Sequence, residues 1–94
     1  MNLINKDNQL ILDGINLKSL AEKYKTPLFI YSYASMKQNF LEYKNALSDV
    51  KHLVCFAMKT NSNMSLLNEL ASFGAGADTV SGGEIFRALK AGVD

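Results

Sequence analysis

An unbroken apolar run, Leu53–Met58, stops at a charged residue, Lys59, and constrains the fold more than any other part of the sequence. Strands that are covered on both faces carry such runs, which are typical of parallel sheets. A helical stretch follows, then a second short strand, Ala77–Val80, and a last helix that opens at Ser81–Glu84. The order strand, helix, strand, helix with short links predicts a parallel α/β fold. Periodicity leaves open whether the sheet closes into a barrel or stays an open doubly wound sheet.

Both helices in this half of the chain have recognisable ends. Gly74 and Gly92 each follow an apolar helical stripe, in the position where a left-handed residue commonly ends a helix. Ser81 and Glu84 have the spacing of a capping box, in which two side chains satisfy free backbone N–H groups. The last helix is expected to bury one apolar stripe, Ile85, Ala88 and Leu89.

The first third of the chain reads as small alternating elements. Gln9–Gly14 predicts a short strand and a tight turn, because Asp-Gly favours such turns. Leu17–Tyr24 has helical spacing of apolar residues and is followed by Pro27. Leu28–Tyr33 is apolar, aromatic and β-branched, which predicts a strand, and Ser35 begins a second predicted helix as its capping residue.

Charge and cysteine content exclude several classes of partner. The 94 residues carry a formal net charge of +1 with no basic stripe, so neither nucleic acid nor an anionic membrane is an expected partner. No stretch is apolar for long enough to span a bilayer, and the first residues do not form a signal peptide. The single cysteine, Cys55, suits a cytoplasmic protein. Residues 86–94 finish a helix where another strand would be expected, so we expect the chain to be part of a longer protein.

Lys59 is the first candidate for chemistry. It follows a predicted parallel strand at the carboxyl end, where α/β proteins have their active sites. Side chains alternate along a strand, so Lys59 should point the same way as Ala57 and Cys55, into the interior if the sheet is a barrel. Desolvation there would lower the pKa of the amine and make it a better imine-forming nucleophile. Pattern alone favours a solvated lysine that merely ends a strand, because charged residues commonly flank buried strands.

Other candidates carry weaker signals. Asp78 falls within an apolar stretch, where a carboxylate is costly unless paired, and it is either an anion for a cationic group in the site or a turn residue. The Ser81–Glu84 segment could receive a phosphate at a helix N-terminus, but capping explains it adequately. His52 precedes the strand at the end remote from the expected site. Together with one cysteine it does not make a metal site, and none is expected.

Three segments carry a resemblance to a known family. Residues 55–63 read CFAMKTNSN and residues 74–84 read GAGADTVSGGE. Both resemble segments of the pyridoxal-phosphate-dependent decarboxylases of fold type III, whose barrel is similar to that of alanine racemase. Residues 26–31, TPLFIY, are similar to the entry segment of the same family, and the three occur in the family's order. The SGGE form is most similar to the diaminopimelate decarboxylase branch.

The resemblance implies a (β/α)₈ TIM barrel followed by a β domain. Residues 1–33 would associate with that β domain, and residues 34–94 would be the first two β/α units of the barrel. The cofactor would be pyridoxal 5′-phosphate, with Lys59 as its Schiff-base lysine and Asp78 as an acidic residue near it. The family acts on small amino acids and commonly forms homodimers. Phe56 and Thr60 replace a common tyrosine and alanine, and neither change removes a required group.

Several functions remain open within and beyond this resemblance. The leading expectation is decarboxylation of meso-2,6-diaminopimelate to L-lysine by the full-length protein, with the 94 residues inactive alone because two strands cannot close a barrel. Ornithine, arginine or carboxynorspermidine decarboxylation is the alternative, and an alanine-racemase-type enzyme is a weaker one. A non-catalytic barrel that binds the same cofactor would lack a β domain, against which the strand and turn at Gln9–Gly14 argue. A purely structural α/β domain follows if Lys59 is simply solvated.

Overall fold

A computed structural model describes residues 2–94, and Met1 lies outside the described residues. The chain divides into two units, the first ending at Gln38 and the second spanning Asn39–Asp94. The first unit contains a three-stranded antiparallel sheet in the order β1 (Leu3–Lys6), β2 (Gln9–Leu12) and β3 (Ile15–Asn16).

Two tight turns build this sheet. Asp7 and Asn8 join β1 to β2 with φ of 52° and 60°, and Asp13 and Gly14 join β2 to β3 with φ of 50° and 81°. Two-residue hairpin loops require such left-handed residues, which Asp, Asn and Gly adopt most readily. The predicted strand and turn at Gln9–Gly14 are confirmed. The flanking strands β1 and β3 were not predicted, because each is short and is held by pairing with β2.

The helix predicted over Leu17–Tyr24 is confirmed as α1 (Leu17–Tyr24). The Asn16 side chain caps it, accepting hydrogen bonds from the backbone N–H groups of Lys18 and Ser19. The cap supplies acceptors for N–H groups that the first turn of a helix leaves free.

The strand predicted over Leu28–Tyr33 is wrong. Residues 28–32 belong to no helix or strand, Phe29 is 84% exposed, and Tyr33 already begins α2 (Tyr33–Ala46). A strand exists only by pairing, and none of the described residues pairs with this segment. The predicted capping residue, Ser35, is also wrong. The cap of α2 is Ser32, whose hydroxyl accepts a hydrogen bond from the backbone N–H of Ser35 at 3.0 Å.

The second unit has the predicted alternation of strands and helices. Its elements are β4 (Cys55–Ala57), a 3₁₀ helix (Met58–Thr60), α3 (Met64–Ser72), β5 (Gly76–Asp78) and α4 (Gly82–Ala91). β4 and β5 pair in parallel, with Cys55 opposite Gly76 and Ala57 opposite Asp78. The predicted parallel βαβ arrangement is confirmed, although both strands are shorter than the apolar runs that contain them.

A small core lies on one side of the parallel pair. Met58, Leu67, Ala88 and Ala91 form its buried cluster, and Phe56 packs against it. The other side is open, because Leu53 is 68% exposed and Cys55 is also exposed. The prediction that both faces of this strand are covered therefore holds for one face only among the described residues.

The predicted buried stripe of α4 is wrong in two of its three positions. Ala88 is buried, but Ile85 is 52% exposed and Leu89 is 64% exposed. Ala91 takes the second buried place, and its carbonyl accepts a hydrogen bond from the Asn68 side chain of α3 at 3.0 Å. Alanines let α4 approach α3 closely, so the larger side chains turn toward the open side of the sheet.

Glycines end both helices as predicted. Gly74 and Gly92 have φ of 91° and 97°, the left-handed conformation that an L side chain rarely adopts. None of the helices described over residues 2–94 has the length and hydropathy needed to cross a bilayer.

Candidate active site at the carboxyl ends of the parallel strands

Lys59 is the central residue of the 3₁₀ helix that follows β4. It therefore lies just beyond the strand rather than on its last position, and its side chain is exposed. The preceding residue, Met58, is only 1% exposed and packs in the core. The backbone at Lys59 is thus anchored from one side, while no described residue encloses the amine.

The polar loop after Lys59 is held by its own side chains. The Thr60 hydroxyl donates to the Ala57 carbonyl at 2.8 Å, and the backbone N–H of Asn61 donates to the Met58 carbonyl at 3.2 Å. The Asn61 side-chain oxygen then accepts from the N–H of Asn63 at 3.0 Å. The threonine that departs from the family pattern therefore stabilises the turn that carries the lysine.

Two further contacts connect this loop to the helices on either side of β5. Asn63 caps α3, accepting from the N–H groups of Ser65 and Leu66 at 3.0 and 3.3 Å. The Arg87 guanidinium of α4 donates to the Ser62 carbonyl through Nε at 3.2 Å and Nη2 at 2.6 Å. Sequence reasoning missed both residues. The helix N-cap rules applied to Asn63 would have found it, whereas no local signal connects Arg87 to a residue 25 positions away.

Asp78 is the last residue of β5 and lies opposite Ala57 in the parallel register. Lys59 follows Ala57 by two residues, so the structure brings both candidates to the same edge of the sheet. Asp78 is exposed, so the desolvation cost expected from its apolar surroundings does not arise. Over the described residues neither the Lys59 amine nor the Asp78 carboxylate takes part in an ion pair or a hydrogen bond, and both side chains remain available to a ligand.

The remaining candidates have structural roles. The Ser81 hydroxyl accepts from the N–H of Glu84 at 3.1 Å, and the Glu84 carboxylate accepts from the N–H of Val80 at 3.3 Å. This is the predicted capping arrangement, with the glutamate reaching one residue further back. His52 Nδ1 donates to the Val50 carbonyl at 2.9 Å, ahead of β4 and away from its carboxyl end.

Gly76 has a close-packing role at the centre of the parallel pair. A Cβ atom on this residue would lie 2.7 Å from Cys55 Sγ and 3.1 Å from Leu53 Cδ2. The glycine opposite Cys55 therefore leaves room for side chains of β4 and the residues before it. The open face of the sheet next to Lys59 and Asp78 carries only small residues, Cys55, Ala57 and Gly76, so no large side chain of either strand stands on it.

These features define a class of protein. A parallel βαβα unit presents a free lysine and a free carboxylate at its carboxyl edge, where α/β proteins bind ligands and carry out chemistry. Residues 33–94 match the description "pyridoxal-dependent decarboxylase, pyridoxal binding domain". The chain belongs to this family, which confirms the predicted family and its cofactor, pyridoxal 5′-phosphate.

Several similar proteins belong to one branch of this family, the diaminopimelate decarboxylases. The chain is 53% identical over 78 residues to a diaminopimelate decarboxylase of Helicobacter pylori, covering 83% of this chain and 19% of that protein. The crystal structure of a diaminopimelate decarboxylase from M. jannaschi superposes with a TM-score of 0.93 at 35% identity, covering 98% of this chain and 23% of the other. An H. pylori diaminopimelate decarboxylase solved in complex with L-lysine has a TM-score of 0.78 at 50% identity, with coverages of 83% and 20%.

The likeness confirms the predicted α/β fold class, the first part of an alanine-racemase-like barrel. The chain spans about a fifth of the length of these relatives.

Proposed function

We propose that the whole protein containing these residues decarboxylates meso-2,6-diaminopimelate to L-lysine with the help of pyridoxal 5′-phosphate. The observation that carries the proposal is the position of Lys59, which presents a free amine at the carboxyl edge of a parallel sheet inside the matched pyridoxal-binding region. The diaminopimelate decarboxylase names of the relatives, and the L-lysine bound to one of them, support the substrate and product.

The residues at this edge fit the cofactor. Lys59 has no competing partner among the described residues, and the small side chains of Cys55 and Ala57 leave the adjoining face open. We propose that Lys59 holds the cofactor covalently through Nζ and that Asp78 places a carboxylate near a cationic group of the cofactor or substrate. When bound, pyridoxal 5′-phosphate would supply an acceptor for the electron pair that a departing carboxylate leaves on the substrate.

In this chemistry the described residues would orient the amine of Lys59 and later allow it to move away. Lys59 would hold the cofactor at a fixed point through Nζ and would need room to move away once substrate is bound. The anchored 3₁₀ helix supplies the fixed point, because the buried Met58 and the Thr60 hydrogen bond restrain the backbone on both sides. The exposed side chain of Lys59 supplies the freedom to move away.

The same proposal covers domain organisation and assembly. Residues 1–33 would join the β domain of the whole protein, a role supported by the antiparallel sheet β1-β2-β3, whose Leu3, Ile4 and Ile15 are about half exposed. Residues 34–94 would be the first two β/α units of the barrel. We also propose a homodimer in the cytoplasm and no decarboxylase activity for the 94 residues alone, since two parallel strands cannot close a barrel.

A trapping experiment tests the assignment of Lys59. Borohydride reduction of the cofactor-loaded whole protein, followed by peptide mapping, should place the cofactor on Lys59. Lys59→Ala should lower kcat by roughly three orders of magnitude or more. Lys51→Ala is the matched control, because Lys51 is an exposed lysine at the amino side of β4 and should leave kcat unchanged.

Two outcomes would contradict the proposal in different ways. A label on another lysine would reject Lys59 as the covalent site. Turnover of ornithine, arginine or carboxynorspermidine in preference to diaminopimelate would retain the site and reject the substrate.

A further inference from the structure

We propose that Arg87 is a positioning residue that sets the geometry of Lys59 by clamping the loop behind it. The inference rests on the proposed function, because it concerns how Lys59 is presented to the cofactor. Arg87 lies in the middle of α4, and its guanidinium donates twice to the Ser62 carbonyl, three residues after Lys59. Its position does not by itself call for an arginine, because Arg87 lies between the two ends of α4, which are capped by Ser81 and Gly92.

The contact is directed and charge-assisted. Nε and Nη2 of Arg87 both point at one carbonyl oxygen, with the shorter distance at 2.6 Å. Hydrogen bonds from a cation to a neutral acceptor are among the stronger ones in proteins, and the planar guanidinium limits the orientations it accepts. A lysine at this position would keep the charge but offer a single donor group without the fork.

The clamp completes a chain of restraints around Lys59. On one side, Met58 is buried in the core and the Thr60 hydroxyl bonds back to Ala57. On the other side, Ser62 is held by Arg87, and the next residue, Asn63, is tied to the start of α3. The backbone of Lys59 therefore lies between two anchors, one from the core and one from α4.

For the site, these restraints mean that the long, flexible side chain of Lys59 starts from a fixed backbone position. The lysine side chain has four rotatable bonds, and a displacement of its backbone also displaces Nζ. Displacing a reacting group by about 1 Å can cost on the order of a hundredfold in rate. α4 follows β5, whose last residue is Asp78. The hydrogen bonds of Arg87 therefore also connect the Lys59 loop to the β5–α4 segment, which contains Asp78.

The test uses the whole protein with Arg87→Ala, Arg87→Lys and the control Lys90→Ala. Lys90 is an exposed cation on the same helix whose amine lies over the Phe86 ring instead of on the loop. In cofactor-free protein, hydrogen exchange of the amides of residues 61–66 should become roughly tenfold faster in Arg87→Ala, with residues 76–78 unchanged. Lys90→Ala should alter neither segment.

The second readout is the rate at which Lys59 captures added pyridoxal 5′-phosphate. The amine condenses with the aldehyde carbon, one water molecule leaves, and borohydride reduces the resulting bond for peptide mapping. Capture should slow roughly tenfold in Arg87→Ala, recover in part with guanidinium ion in solution, and be intermediate in Arg87→Lys. The lysine variant also keeps the test decisive if the alanine variant does not fold.

The outcomes separate this inference from the function on which it rests. Unchanged exchange and unchanged capture, with the label on Lys59, would overturn the positioning role and leave the proposed function intact. Faster exchange spread evenly over the second unit would make Arg87 a general stabilising residue and would also overturn it. A label on a different lysine would reject the proposed function, and the exchange data would still decide whether the clamp exists.

Discussion

Replacing Gly76 by alanine tests the packing of the parallel pair directly. The new Cβ would lie 2.7 Å from Cys55 Sγ and 3.1 Å from Leu53 Cδ2, both shorter than ordinary van der Waals contact. The backbone of Gly76 is not in the left-handed region, so the conformation itself tolerates alanine. Any loss of stability must therefore come from crowding.

Two effects oppose each other in this substitution. Overpacking a close contact costs about 1–3 kcal/mol. Restricting the unfolded chain by removing a glycine stabilises by about 0.4–1 kcal/mol. Crowding should win, so we expect Gly76→Ala to lower the free energy of unfolding by about 1–2 kcal/mol. Gly82→Ala is the matched control, because a Cβ there meets nothing within 4 Å, and it should be neutral or stabilising by up to about 1 kcal/mol.

Urea unfolding of the 94-residue chain, followed by circular dichroism, measures both free energies. Cys55→Ala removes the closest atom and, at an exposed residue, should change stability by less than about 0.5 kcal/mol on its own. Combined with Gly76→Ala it should recover about 1 kcal/mol, a coupling that a double-mutant cycle isolates. Equal effects of the two glycine substitutions, or strict additivity in the cycle, would refute the reasoning.

Two further substitutions test the cap and the core of the same unit. Asn63→Ala removes the acceptor for two N–H groups of α3 and should cost about 1 kcal/mol in urea unfolding, whereas Asn63→Asp should retain most of the stability; equal losses would exclude a capping role. Leu67→Ala, at a residue 2% exposed, should cost about 2–5 kcal/mol, and Leu89→Ala, at a residue 64% exposed, less than about 0.5 kcal/mol. Similar values for the two leucines would place the core elsewhere.

Features set by neighbouring residues were predictable from the sequence. The Asp13-Gly14 turn, the left-handed Gly74 and Gly92, and the Ser81–Glu84 cap all appear as expected. Each depends on backbone conformations and hydrogen bonds within about four residues, and the types of those few residues are enough to predict them.

Features that depend on a distant partner were not predictable. Leu28–Tyr33 has the composition of a strand, but no described segment pairs with it, and Tyr33 joins a helix whose cap is Ser32. Ile85 and Leu89 have helical spacing, yet alanines occupy the buried face of α4. The composition of a segment limits the conformations that it can adopt, whereas strand pairing and helix packing select one of them.

The same division applies to Lys59. The sequence alone was enough to single it out as the lysine at the carboxyl end of a parallel strand, and the segments around it were enough to indicate a family. Only the tertiary structure placed it in a 3₁₀ helix between the buried Met58 and a loop clamped by Arg87. Neighbouring residues determine where a strand ends, whereas contacts 25 residues apart in sequence exist only once β4, α3, β5 and α4 have packed together.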